Sequence, residues 1–177
     1  QHGSAADAIH HALAAEDFGR AADLIELAVP ALRKSRQETT LLGWMGALPN
    51  ELVRARPVLS VTYAHLLLLD GGELERVEVC LRDAEWWLDT TADSHPRPGA
   101  PAAAMVVVDD TTFRRLPGAI AIARAGMALA QGNLPQTMTY AQRALDLAPH
   151  DDLLTRGGAA GFLGLAFWTS GDLEAAY

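Results

Sequence analysis

Gly72-Glu73-Leu74 divides two helical patterns. Before it, residues 58–69 are apolar on most sides; after it, Leu74, Val77, Leu81, Ala84 and Leu88 form one stripe at helical spacing. The same short turn is written three more times, as Glu16-Asp17-Phe18, Gly132-Asn133-Leu134 and Gly171-Asp172-Leu173. A helical apolar pattern precedes each copy and one follows at least the first three. A turn reused in this way marks a helix-turn-helix unit stacked on itself, and such arrays are more often surfaces for binding than pockets for chemistry. The expected fold is all-α.

Outward from these turns, the first unit places Ala5, Ala8, Ile9, Ala12 and Leu13 on one stripe, and after its turn Ala21, Leu24, Ile25, Ala28, Val29 and Leu32 on another. Pro30 inside that second pattern predicts a kink or an early end. A helix with Leu41, Leu42, Trp44, Met45 and Leu48 should end at Pro49, with Asn50 capping a short turn over residues 51–54. Pro57 suits the first turn of the central apolar helix, and Gly71 and Gly72 suit its left-handed end. Residues 90–110 break the periodicity, with Pro96, Pro98, Gly99 and Pro101, and read as a Pro-rich inter-repeat loop. Within it, Met105-Val106-Val107-Val108 should pack back on the helices. Pro117 is expected to open the next helix, and Asn133 to cap its partner. The last helix carries Gly157, Gly158, Gly161 and Gly164, which cost helical propensity and predict a close helix crossing.

Composition narrows the function. With 177 residues and 50% apolar residues, the chain can bury a sizeable core. It holds 14 Lys+Arg against 22 Asp+Glu, a formal net charge of −8, which disfavours direct nucleic-acid contact. The apolar run at 58–69 is too short to span a membrane. Cys80 stands alone, so no internal disulfide can form, and a reducing cytoplasm is the default expectation. The one lysine, Lys34, follows Ala31-Leu32-Arg33 rather than the glycines of a phosphate-binding loop, so this segment does not read as a nucleotidase core. His10-His11 lacks the i, i+4 spacing of a helical metal site, and no metal or cofactor is expected. Asp109-Asp110 and Asp151-Asp152 read as helix caps. No convergent acid–base set appears, so the chain reads as non-catalytic.

The wording of the last repeat resembles a tetratricopeptide repeat: Leu163-Gly164 then Phe167, with Ala141, Ala144 and Pro149 before them. The copies of the turn start at positions 16, 72, 132 and 171, so only the last interval approaches the roughly 34 residues of that repeat. A more specific likeness lies in Ala21-Ala22-Asp23-Leu24-Ile25-Glu26, then Trp44-x-x-Ala47-Leu48-Pro49, Arg56-Pro57-x-Leu59, Gly71-Gly72-Glu73-Leu74 and Gly132-Asn133-Leu134. Apart from residues 90–110, the order resembles the helical-repeat sensor region of large MalT-like, LuxR-type transcriptional regulators. The resemblance implies a tetratricopeptide-like α-solenoid, a right-handed superhelix forming a single domain over residues 1–177, excised from a longer protein. It implies a small-molecule inducer (a sugar in the maltose regulator) or a protein partner, with DNA bound by a separate C-terminal domain.

In such a superhelix the first helix of each pair lines the concave face. Projected from each turn, that face would include His10, Thr62, Leu66, Leu69, Ile122, Leu129, Leu165 and Trp168; the bland alternative is that these residues are simply core. Trp168 and Trp86 could stack on a sugar ring or a partner side chain, although for Trp86 packing under the Pro-rich loop is the favoured reading. Stopping a few residues beyond the fourth turn, the chain would expose Leu173 and Ala176, and this open end is expected to favour a homodimer. A scaffold for protein–protein contact or self-association is the competing function.

Overall fold

The computed structural model describes residues 5–92 and 104–170. Among them are nine helices and no strand: α1 (Ala5–Ala14), α2 (Phe18–Lys34), α3 (Glu38–Ala47), α4 (Asn50–Arg54), α5 (Pro57–Leu69), α6 (Leu74–Ala92), α7 (Asp110–Ala130), α8 (Leu134–Leu147) and α9 (Leu153–Ser170). The fold is all-α, as the periodicity requires. The single domain read from the sequence divides into two compact units, Gln1–Phe113 and Arg114–Tyr177, with the boundary inside α7.

One backbone device makes the turns. Glu16, Arg36, Gly71 and Gly132 all have left-handed φ, at 55°, 58°, 71° and 72°. In each case the next residue donates its N–H back five residues: Asp17 to Ala12, Gln37 to Leu32, Gly72 to Leu67 and Asn133 to Ala128, at 2.7–3.0 Å. The left-handed residue itself donates to the carbonyl three back. This is the Schellman closure, which satisfies carbonyls that a helix end would otherwise strand. Three of the four turns were legible as the recurring motif. The fourth, at Arg36, was not, because an arginine does not advertise left-handed backbone. In the central turn the left-handed residue is Gly71, one before the glycine that matches Gly132. Gly72 is needed for closeness instead, since a Cβ there would sit 3.0 Å from the Leu67 carbonyl oxygen. The sequence's other copy, at Gly171, lies outside the described residues, as do Leu173 and Ala176.

Caps behave locally. Asp17 accepts from the Arg20 N–H and Asn133 from the Gln136 N–H, both at 3.2 Å. Asp109 accepts from Thr111 and Thr112, and Asp152 from Thr155, so these acidic pairs do cap α7 and α9. Three local expectations are corrected. Asn50 is the first residue of α4, with Pro49 at the cap position and no side-chain cap bond. The early end allowed for at Pro30 does not occur, since α2 runs four residues past it to Lys34. Pro117 lies inside α7, which begins at Asp110 because Asp109 supplies the cap. A proline inside a helix costs about 3 kcal/mol; burial of the flanking stripes, Ile25 and Val29 in α2 and Leu116 and Ile120 in α7, offsets it.

In the first unit, α1 packs on α2 and α5 on α6, with α3 and α4 against α5. α5 is the centre. Pro57 occupies its first turn and ten of its thirteen residues are buried. Two of its buried hydroxyls are satisfied by backbone, Ser60 donating to the Val53 carbonyl at 2.9 Å and Thr62 to the Val58 carbonyl at 2.8 Å. In the second unit, Ala121, Ile122 and Ala125 of α7 meet Ala141 and Ala144 of α8 and Ala159 of α9. Small residues there allow close approach, and a Cβ added at Gly118 would lie 3.6 Å from the Ala148 backbone. The glycines of α9 do not follow that rule uniformly: a Cβ at Gly157 or Gly161 would enter open space. Of the Pro-rich loop, residues 90–92 belong to α6 and 110 to α7; residues 93–103 lie outside the described residues.

Candidate binding surface

The projected residues differ in burial. Thr62 and Leu66 are buried in α5, and Ile122 is buried in the α7–α8–α9 cluster. Leu129 is half-buried. His10, Leu69, Leu165 and Trp168 are exposed, the tryptophan by 65%. His10 is held at the surface of α1, where its Nε2 accepts from Trp44 Nε1 at 3.4 Å and the rings meet edge to face. Trp86 is half-buried, its ring edge-on to Trp87. Packing of Trp86 under the Pro-rich loop concerns residues outside those described. His10, Thr62, Leu66, Leu69 and Trp86 belong to the first unit, the others to the second.

What the tertiary structure brings together is a set of buried polar contacts that the sequence did not single out. Glu26 lies on the buried stripe of α2 between Ile25 and Val29 and is fully inaccessible to solvent. Its Oε1 accepts the backbone N–H groups of Val108 at 2.9 Å and Asp109 at 3.2 Å. Its Oε2 faces Arg56 Nη1 at 3.5 Å, and the other arm of Arg56 reaches Asp23 at 2.6 Å. Arg56 is itself 6% exposed and sits at the junction of α4 and α5. Beside it, Val106 donates its N–H to the Ala55 carbonyl at 2.9 Å. The valine run therefore does fold back on the helices, held by its backbone N–H groups while Val106 and Val108 stay exposed. The one signal available in advance was a carboxylate at a core position of an amphipathic stripe, which demands a partner.

A second cluster ties α4 to α6. Arg54 grips Asp83 with two nitrogens, at 2.9 and 3.3 Å, and Trp87 donates to the Arg54 carbonyl at 2.8 Å. Cys80 lies nearby, and burial, with Asp83 adding to it, pushes its thiol up to about 11, so it is protonated at neutral pH and a poor nucleophile. Among the described residues no group of three or more His, Cys, Asp or Glu could hold a metal ion, and no helix is long and apolar enough to cross a membrane.

His65, on α5, accepts from Arg33 Nη2 at 3.3 Å. Burial, reinforced by the Arg33 charge, lowers its pKa from 6.5 to about 4. The unfolded chain therefore takes up this proton first as the pH falls. Stability carried by neutral His65 is complete above pH 6.5 and is lost progressively toward pH 4. From pH 7 to pH 5 the loss should be about 2 kcal/mol, read as a falling urea midpoint; His65→Gln, which keeps an acceptor but cannot titrate, should flatten that decline.

No family model matches this chain, and no solved structure matches it. Curated proteins do. The serine/threonine-protein kinase PknK of Mycobacterium tuberculosis (strain CDC 1551 / Oshkosh, and likewise ATCC 25618 / H37Rv) and that of Mycobacterium bovis (strain ATCC BAA-935 / AF2122/97) are each 40% identical to it over 93 residues. That stretch is 49% of this chain and 8% of each of those proteins. The chain thus spans only a small part of the length of the relatives it matches.

Proposed function

We propose that the chain is a non-catalytic, ligand- or partner-sensing regulatory domain of a LuxR/MalT-type transcriptional regulator, built from tetratricopeptide-like helix pairs. The observation that supports this reading is four helix ends closed by one Schellman hydrogen-bond pattern, a common helix terminus that suits short turns between consecutive helices. The likeness to a short part of much longer proteins named as kinases is compatible with a segment that serves inside a larger polypeptide. An effector that binds one arrangement of the helices better than another would shift the population and bias the parent's switch. A small-molecule inducer or a protein could supply that difference in affinity. A thermal-shift screen with oligosaccharides and small metabolites tests the reading. A compound that raises the melting temperature in proportion to the logarithm of its concentration supports it, and silence across the library turns it toward a protein partner.

The exposed Leu153, Leu154 and Trp168 on α9 favour a second reading, a tetratricopeptide-type scaffold for protein contact or self-association. Light scattering over a concentration series separates the two. Association that Trp168→Ala abolishes favours the scaffold.

A further inference from the structure

α9 is apolar on two sides. Ala159 and Ala166 are fully buried on one, Ala159 within the cluster shared with α7 and α8. On the other, Leu153, Leu154, Leu165 and Trp168 are 78%, 60%, 37% and 65% exposed. The one charged residue of the helix, Arg156, turns to the carbonyls of Leu145 and Ala148, at 3.0 and 3.3 Å, and leaves the open side without charge. Two glycines add an observation independent of hydrophobicity. Gly157 and Gly161 lie on the same exposed side and lower helical propensity, yet they serve no crossing among the described residues, since a Cβ at either would meet open space. A helix apolar all round is one that is covered, and glycines at its open side suit a cover that comes close.

The geometry points to a second copy of this chain as that cover, the two α9 helices packing antiparallel about a two-fold axis at Gly161. The inference rests on the self-association reading and names its interface. Leu154 lies seven residues before Gly161 and Trp168 seven after, and Gly157 and Leu165 lie four before and four after. At about 100° per residue all five fall within about 40° of one line along the helix. Two-fold pairing about Gly161 sets Leu154 against the partner copy's tryptophan at each end, Leu165 into the gap over the partner copy's Gly157, and glycine against glycine at the axis. Large meets small without a rearrangement, which is the self-complementarity an isologous contact needs. With these exposures the pair would bury on the order of 1,000 Å² in total, at the low end of specific interfaces, so the dimer should be weak and reversible.

Sedimentation equilibrium of the full chain should show monomer and dimer only, with a Kd of roughly 10–100 μM. Gly161→Leu places its side chain in open space in the monomer, so the melting temperature of dilute protein should not fall, while the two copies can no longer meet at the axis and Kd should rise roughly tenfold or more. Added salt should not weaken the dimer, because the contact holds no charge and each copy carries a net charge of −8. A chain that stays monomeric, association beyond dimers, a dimer indifferent to Gly161→Leu, or one that salt dissociates overturns the proposal. Cross-linking in a Cys80→Ser background checks the register independently, should Gly161→Leu not fold. Leu154→Cys mixed with Trp168→Cys should give a disulfide-linked dimer, and Leu154→Cys alone should not, its two copies lying about 20 Å apart; the reverse result overturns the antiparallel pairing. Association that Trp168→Ala abolishes but Gly161→Leu does not would refute this interface and leave the scaffold reading standing, so the two are tested separately.

Discussion

Glu26→Leu should lower the free energy of unfolding by about 3–5 kcal/mol, the usual result of breaking a buried ion pair from one side. The substitution keeps most of the side-chain volume but leaves Arg56 Nη1 facing hydrocarbon and strands the N–H groups of Val108 and Asp109. Arg56 retains Asp23, whose side chain is half-exposed and supplies a screened partner only. Arg56→Met should cost as much for the opposite reason, because it leaves a fully buried carboxylate with no cation. The double variant removes both charges, and its cost should fall short of the sum of the single costs by at least about 2 kcal/mol. Urea denaturation of the four proteins measures this directly. Against a total stability of about 5–15 kcal/mol, either single change is large. Single costs below about 1 kcal/mol would show that the Glu26 carboxylate does not hold residues 105–109 in solution.

Leu66→Ala is the second large effect. Leu66 is 2% exposed on the most buried helix of the first unit, and truncating it should cost about 2–5 kcal/mol through lost burial and the cavity left behind. Leu69 lies three residues on and is 61% exposed, so Leu69→Ala should move stability by no more than about 0.5 kcal/mol. Both were read as candidates for the same binding face. Thermal or urea unfolding of the pair separates a core position from one that can touch a ligand. Should Leu66→Ala leave stability unchanged, α5 is not the centre of the unit. A loss of ligand response in Leu69→Ala with stability intact would instead mark a true contact.

That contrast shows where sequence reading stopped. A period of 3.6 residues assigns a side chain to a face of its helix, but not to what covers that face. His10, Leu66 and Trp168 look alike in register and end in three different environments: one ring held by Trp44, one side chain sealed in the core, one indole in solvent. Pro30 and Pro117 show the same limit from the other side. The local rule gives their cost correctly as a broken helix bond, yet the helices run through them because the stripes around them are buried.

Most of the caps and turns settled within about five residues along the chain were written in the sequence. Asp17, Asn133, Asp109 and Asp152 cap helices because a carboxylate or amide reaches backbone N–H groups two or three positions ahead, and Gly71 and Gly132 turn left-handed because no Cβ opposes it. The all-α class follows from those signals together with the apolar stripes between them. Arg36 already needed the structure, since only its hydrogen bonds reveal a left-handed residue that glycine would have announced. The pairing of Glu26 with Arg56, thirty positions away, and with the N–H groups of Val108 and Asp109, more than eighty away, was decided by tertiary packing alone. A buried charge fixes that it must have partners but not which, and the choice is made when α2, the α4–α5 junction and residues 105–109 close on one another and exclude water.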